Sequence, residues 1–305
     1  MPAVIAENIV KRYGKKKDTV EALKGISFEA AEGELFGIIG PDGAGKTSLF
    51  RILTTLLLPD AGKATVDGLD VVKDYKEIRN RVGYMPGRFS LYQDLTVAEN
   101  MEFFATIFNT SIEENYNLVK DIYSQIEPFK DRRAGKLSGG MKQKLALSCA
   151  LIHRPSVLFL DEPTTGVDAV SRKEFWEMLR KLKQQGITIL VSTPYMDEAS
   201  LCDRVALVQS GQLLSVDTPA GVRGAFGKPL LAIRATKMLP LLDNLKKAEP
   251  VIDAYPFGEF YHAVMQPGYD EAALRNYLGQ KGHEDIEIHS IEPDIEDCFM
   301  DLMKN

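Results

Sequence analysis

Apolar and polar residues alternate along "AVIAENIV" (3–10) and "ISFEA" (26–30), a period of two that predicts half-buried antiparallel strands. The pattern changes at "ELFGIIG" (34–40), a continuous apolar run ending in glycine, as expected of a parallel strand covered on both faces. "KTSLFRILTTLLL" (46–58) takes helical spacing up to the stop at Pro59. "ATVDGLDV" (64–71) predicts a strand and a turn. Helical patterns dominate from 94 to 130, in "TVAENMEFFATIF" and "SIEENYNLVKDIYSQI", and "KQKLALSCALI" (142–152) predicts another amphipathic helix. A second buried strand, "SVLFLD" (156–161), precedes the helix "SRKEFWEMLRKLKQQG" and the strand "ITILVS". "VALVQSGQLLSVD" (205–217) reads as a hairpin turning at Ser210 and Gly211.

The Gly- and Pro-rich stretch "TPAGVRGAFGKP" (218–229) predicts a boundary, giving units 1–224 and 225–305. The second unit runs strand "LLAIRA", helix "KMLPLLDNLKKA", two strands around "PFGE", helix "YDEAALRNYLGQKG" and strand "IEIHSI". That order is a split βαβ, ferredoxin-like unit, closed by the helix "PDIEDCFMDLMK". Its distance from the phosphate-binding motifs described below suggests a regulatory or dimer-supporting role.

Composition narrows the class. A chain of 305 residues with 45% hydrophobic and 26% charged residues suits a globular protein. A net charge of −6 argues against a general nucleic-acid binder. One basic run, "KRYGKKK" (11–17), reads as a turn with solvated lysines, with an anionic-membrane contact as the alternative. Cys149, Cys202 and Cys298 are far apart and form no CxxC, which disfavours a disulfide framework or a zinc site and suits a reducing cytosol. The N-terminus lacks the apolar core of a signal peptide, and no apolar run approaches the ~18 residues of a membrane span. A membrane role would need another chain to supply the spans. His153, His262, His283 and His289 show no metal-like spacing and read as packed or solvated.

The chemistry concentrates in three short segments. "GPDGAGKT" (40–47) fits G-x-x-x-x-G-K-[ST] and lies between a buried strand and a helix. Gly43 and Gly45 let the backbone turn its N–H groups toward phosphates, at a helix start that adds positive potential. Lys46 would neutralise β/γ-phosphate oxygens, and Thr47 would place its hydroxyl on Mg²⁺. "VLFLDEP" (157–163) delivers Asp161 to the Mg²⁺ shell and Glu162 to a water beside the γ-phosphate. "LSGGMKQ" (137–143) opens a second helix with Ser138, Gly139 and Gly140, another anion-ready terminus. One nucleotide does not need two such ends; two chains facing head to tail do.

These segments resemble the nucleotide-binding subunit of an ATP-binding cassette transporter, over about residues 3–220. The resemblance implies an α/β fold, a P-loop NTPase cassette: a mixed sheet core, an antiparallel β subdomain and a helical signature subdomain, here followed by the small α+β unit. It implies that Gly40, Pro41, Asp42, Gly43, Ala44, Gly45, Lys46, Thr47 and Ser48 hold ATP, with Mg²⁺ on Thr47 and Asp161 and Glu162 as the catalytic base. Leu137, Ser138, Gly139, Gly140 and Met141 would serve the partner's ATP. "GVDAVSR" (166–172) resembles the family's D-loop, with Asp168. Tyr13 stands where an aromatic stacks on adenine; packing in a core is the equal alternative. "YMP", "DLTVAENMEFF" and "STPYMDEA" resemble the multidrug-export branch, as does the C-terminal "SIEPDIEDCFMDLM".

Two family residues are missing. The lid glutamine is Gly87 and the switch histidine is Pro194. Arg88 and Gln93 are offset from the lid position. Losing one preorganised donor typically costs ~10²–10³ in rate. The expectation is therefore an ATPase, slowed by these replacements, that energises a separate permease exporting small molecules. Its partners would be a second cassette, identical or not, and an integral-membrane chain docking near Gly87–Phe104. It would be cytoplasmic and peripheral to the inner (plasma) membrane of a prokaryote. A rival reading is a regulatory ATP-binding module lending "LSGGM" to a competent partner. A soluble cassette of translation or DNA repair fits less well, since such chains carry two cassettes or a coiled-coil insertion.

Overall fold

The computed structural model describes residues 1–14 and 19–304; Lys15, Lys16 and Lys17 of the basic run lie outside them. The chain divides into two compact units, at Ala220 and Gly221. That division falls inside the Gly- and Pro-rich stretch, where a short helix, α7 (Pro219–Gly224), also forms.

In the first unit, β1 (Pro2–Tyr13) pairs antiparallel with β2 (Val20–Ala31) and with β4 (Ala61–Val66). β5 (Leu69–Asp70) completes a sheet of order β2-β1-β4-β5. The β4–β5 turn uses Asp67 and Gly68, both at positive φ, as a tight two-residue hairpin requires. The main sheet is built on β3 (Leu35–Ile39), whose five residues are all buried. Its order is β10-β9-β3-β8-β7-β6, from β6 (Val82–Met85), β7 (Val157–Asp161), β8 (Thr188–Thr193), β9 (Arg204–Gln209) and β10 (Gln212–Asp217). Only β10 runs antiparallel to its neighbour. Phe36, Phe50 and Phe159 are fully buried in the core these layers enclose.

The helix after β3, α1 (Lys46–Leu53), stops five residues before the expected end at Leu58. Thr55 takes φ 63, and Arg79 clamps it with bonds of 2.8 Å to both its hydroxyl and its carbonyl. The apolar run 56–58 is thus not a helix face: Leu56 and Leu58 are exposed. Arg79 belongs to α2 (Tyr75–Arg81), a helix the apolar spacing does not announce. A helical layer follows: α3 (Val97–Ile107), α4 (Ile112–Tyr123) and α5 (Gly139–Leu151), with α6 (Ala169–Gln184) between β7 and β8. Thr96 and Glu99 form a reciprocal capping box at the start of α3.

The second unit, by itself, runs β11 (Leu230–Arg234), α8 (Met238–Leu245), β12 (Val251–Phe257), β13 (Phe260–Met265), α9 (Glu271–Gln280) and β14 (Glu287–Ile291). Its sheet is antiparallel with order β12-β13-β11-β14, the order of a split βαβ unit. α10 (Ile295–Leu302) follows. Buried Asp297 on α10 accepts from Tyr255 at 2.8 Å and lies 2.6 Å from His262 Nδ1. His283 contacts Asn244 at 2.9 Å, and His153, in the first unit, stacks on Phe108 at 3.8 Å. The three cysteines are free and buried. Among the described residues no helix is long and apolar enough to cross a membrane.

Candidate functional site

β3, β7 and β8 are parallel neighbours, so their C-terminal ends share one edge of the sheet. That edge brings residues 40–47, 161–162 and 192–194 together, the usual place for a ligand in an open α/β sheet.

The loop after β3 is shaped by its glycines. Gly43 and Gly45 take φ 80 and φ 102. A Cβ on Gly45 would lie 2.4 Å from the Ala22 carbonyl oxygen, and one on Gly40 would lie 2.1 Å from that of Val208. The β9–β10 turn backs the loop, Gly211 N–H donating to Ala44 at 3.0 Å. Leu49 is the first α1 residue whose N–H returns to the loop, to Gly45 at 3.0 Å. The N–H groups before it belong to the helix start that no helical carbonyl can serve, which suits an anion. Pro41 accepts from Ala44 at 3.2 Å, while Asp42 is exposed.

Lys46 is buried at 3% exposure. Its ammonium donates to Gly40 (2.7 Å) and Pro41 (3.0 Å) and lies 3.0 Å from the Glu162 carboxylate. The cleft above them is about 240 Å³, lined by Ala22, residues 43–48 and Glu162. Tyr13 is 40% exposed and its hydroxyl is 3.0 Å from Ser48 Oγ. That overturns the core-packing alternative for Tyr13: the ring stands open to solvent beside the phosphate loop.

Asp161, at 2% exposure, accepts from Ser192 Oγ at 2.7 Å, and the Thr47 hydroxyl stands near enough to favour its charged form. Burial pushes its carboxyl above the usual carboxylate range, against the opposing pull of these two hydroxyls and of Lys46. A hydroxyl and a carboxylate side by side are hard oxygen donors of the kind Mg²⁺ takes. Among the described residues no group of three or more His, Cys, Asp or Glu could hold a metal alone. Mg²⁺ bound here would therefore complete its shell with water and phosphate oxygens, its usual habit.

Glu162 sits at φ 50, rare for a residue with a side chain, and its N–H is held by the Ser192 carbonyl and hydroxyl, both at 3.0 Å. Ser192 thus fixes both acidic residues. Sequence reading missed it; the signal was a serine closing the apolar run Ile189–Val191.

The second helix start differs. Ser138 caps α5, its Oγ accepting from Met141 N–H at 3.3 Å, and Leu137 is buried beneath. Ser138, Gly140 and Met141 do not line the phosphate cleft. Gly139 lines a separate cavity of about 170 Å³ together with Gly87, Gln143 and Glu162. Gln143 reaches across to the Pro163 carbonyl. Asp168 caps α6, accepting from Val170 (3.1 Å) and Ser171 (3.0 Å), and these backbone donors hold its carboxyl low.

Gly87 packs against the end of β7: a Cβ there would be 3.0 Å from the Asp161 carbonyl oxygen. Pro194 is half-buried, between Thr193 and Tyr195, whose N–H bonds the Thr193 hydroxyl at 3.0 Å. The Gln93 backbone carbonyl takes Gly135 N–H at 2.9 Å, and the residue is exposed.

Comparison with known proteins agrees with this geometry. The sequence model of the ABC transporter family matches residues 23–165. The chain is 39% identical over 275 residues to the probable multidrug ABC transporter ATP-binding protein YbhF of Escherichia coli (strain K12), covering 89% of this chain but 47% of that protein. The chain thus spans about half that relative's length. It is 35% identical over 309 residues to the daunorubicin resistance ATP-binding protein DrrA2 of Streptomyces coeruleorubidus, covering 98% of this chain and 94% of that one. Among solved structures, the ATP-binding cassette MJ0796, dimeric in a post-hydrolysis state with ADP and Pi, superposes with a TM-score of 0.64 at 26% identity, over 70% of this chain and 98% of that chain.

Proposed function

The chain belongs to the ABC transporter family of ATP-binding cassettes, and from that premise we propose that it binds ATP·Mg²⁺ between two cassettes and hydrolyses it to drive a separate exporter permease. The observation that carries this is the meeting of Lys46, Thr47, Asp161 and Glu162 at one cleft, where Lys46 and Glu162 are 3.0 Å apart. Lys46 and the α1 N–H groups hold the β/γ-phosphates. Thr47 and Asp161 hold Mg²⁺, which when bound neutralises phosphate charge. Glu162 orients and deprotonates the attacking water, and the phosphate draws Lys46 away from it. Tyr13 offers its exposed ring to the base. The signature start, Ser138 to Gly140, closes the site of the facing cassette.

The permease docks on an apolar groove of about 420 Å³ whose walls include Tyr84, Leu91, Phe104, Phe108 and His153. Phe104 and Phe108 of "ENMEFFATIF" thus line this groove, while Met101 and Ala105 face the core. Export of small molecules is supported by relatives named for multidrug transport, for daunorubicin resistance and, at 38% identity in Burkholderia lata, for Nod factor export. Such a cassette works at the cytoplasmic face of a prokaryotic inner membrane.

Gly87 and Pro194 favour a second reading, a slow or silent site serving a competent partner cassette. Steady-state ATP turnover of the chain, alone and with its permease, separates the two. Mg²⁺-dependent turnover that rises with the permease supports the first; binding without turnover in both conditions supports the second.

A further inference from the structure

Glu198 is the second buried acid near this edge of the sheet; it belongs to "STPYMDEA", but no role above falls to it. It sits at 1% exposure in the 3₁₀ turn Met196–Leu201. Burying a carboxylate is costly unless its oxygens are served. Here Oε2 accepts from Thr193 Oγ1 at 2.6 Å and Thr164 Oγ1 at 3.1 Å, and Oε1 accepts from Arg172 Nε at 3.2 Å. Exposed Asp197 accepts from Arg172 Nη2 at 3.0 Å, and the Tyr195 ring lies 4.4 Å from the guanidinium.

The three donors come from three different segments of the site. Thr164 is two residues beyond Glu162. Thr193 stands between Ser192, which fixes both acids, and Pro194. Arg172 is in the first turn of α6, beside Ser171, whose Oγ would be 2.9 Å from a Cβ on Gly140. We propose that Glu198 is a positioning residue that locks the base segment, the switch segment and the α6 start into one arrangement. Pro194 offers no side-chain donor and no N–H, so the placement of its segment falls to the Thr193–Glu198 bond. This rests on the hydrolysis reading above. Glu198 touches no phosphate-binding group, so its loss acts on the chemical step and not on ATP affinity.

The chain has one tryptophan, Trp176, one helical turn beyond Arg172 and buried at 3% exposure. It lines a cleft of about 350 Å³ with Arg172, Asp197 and Glu198, so its emission reports on the cluster.

The test uses the full chain with Glu198→Gln, Thr193→Val and Thr193→Ser, measuring turnover, ATP affinity and Trp176 emission on adding ATP·Mg²⁺. Glu198→Gln keeps the shape but removes the charge paired with Arg172 and turns one acceptor into a donor, so the two threonine hydroxyls must reorient. Its kcat should fall by about tenfold or more, as for a small displacement of reacting groups, with ATP affinity within about threefold. Thr193→Val should follow it and Thr193→Ser should stay near the parent. The ATP-induced emission change should shrink in Glu198→Gln. Unaltered kcat in Glu198→Gln, or equal losses of affinity and turnover, overturns the proposal. So does a Thr193→Ser chain as impaired as Thr193→Val, the pair that decides if Glu198→Gln does not fold. If the unaltered chain has no turnover, the hydrolysis reading falls on its own. The emission change then decides: lost in Glu198→Gln it supports Glu198 as the link, and identical in both chains it removes it.

Discussion

The two helix starts, at α1 and at α5, are made from similar sequences and finished differently. α1 follows Gly45, at φ 102, with no side chain capping it, and its first N–H groups look into a cleft that also holds Lys46 and Glu162. α5 follows Ser138, which takes one of those N–H groups for itself, and a Cβ added to Gly139 would meet nothing beyond its own helix nearer than the Gly166 carbonyl oxygen at 4.0 Å. The first start carries its own lysine, metal donors and acid. The second shares a separate cavity with Lys142 and Glu162 and leaves Ser138 and Gly139 exposed. On the proposed function, one chain holds a phosphate site and half of another, the arrangement two head-to-tail copies would need.

The largest effect expected is at the first start. Lys46→Ala removes the buried ammonium and should weaken ATP binding by about 100-fold, the worth of a charge-assisted phosphate contact. Titration with a fluorescent ATP analogue measures it; affinity within threefold of the parent would mean the α1 N–H groups alone carry the phosphates. At the second start the effect should divide differently. Gly139→Asp puts a carboxylate where the chain has open space, so the fold and monomer ATP affinity should hold while turnover drops at least about tenfold, by charge repulsion against the facing phosphate. Equal loss of binding and turnover would show that α5 serves its own chain's nucleotide.

The smallest effect concerns Gly87 and Pro194. Adding the side chains back in Gly87→Gln and Pro194→His should raise turnover together by up to about tenfold, about 1.4 kcal/mol in the barrier. Gly87→Gln alone should give less, because its Cβ must sit 3.0 Å from the Asp161 carbonyl oxygen and the loop has to yield. A double variant no faster than the parent would show that other groups fill those roles.

Most of the site was legible because its parts are local. The glycines, Lys46 and Thr47 are fixed by spacing just after β3, and the acids 161–162 by spacing at the end of β7. What spacing could not reveal is what reaches across the sequence. Ser192 bonds Asp161 from 31 residues away, and Glu198 bonds Thr164 from 34. Spacing marks neither, although Glu198 also takes Thr193 within its own segment. The early end of α1 has the same cause: Arg79, 24 residues on, holds Thr55 out of the helix. For Tyr13, position alone left stacking and packing equal, and exposure decided against packing.

The central claim is that the α5 start completes a site on another copy through bound ATP. Sedimentation of the Glu162→Gln chain, which keeps the phosphate loop and Asp161 but lacks the base, tests it most directly. With ATP·Mg²⁺ the account predicts a dimer, and without nucleotide, or with ATP plus the Gly139→Asp change, a monomer. A chain that binds ATP yet stays monomeric at high concentration would contradict pairing with its own copy. Dimers that persist unchanged without nucleotide would contradict ATP as the link.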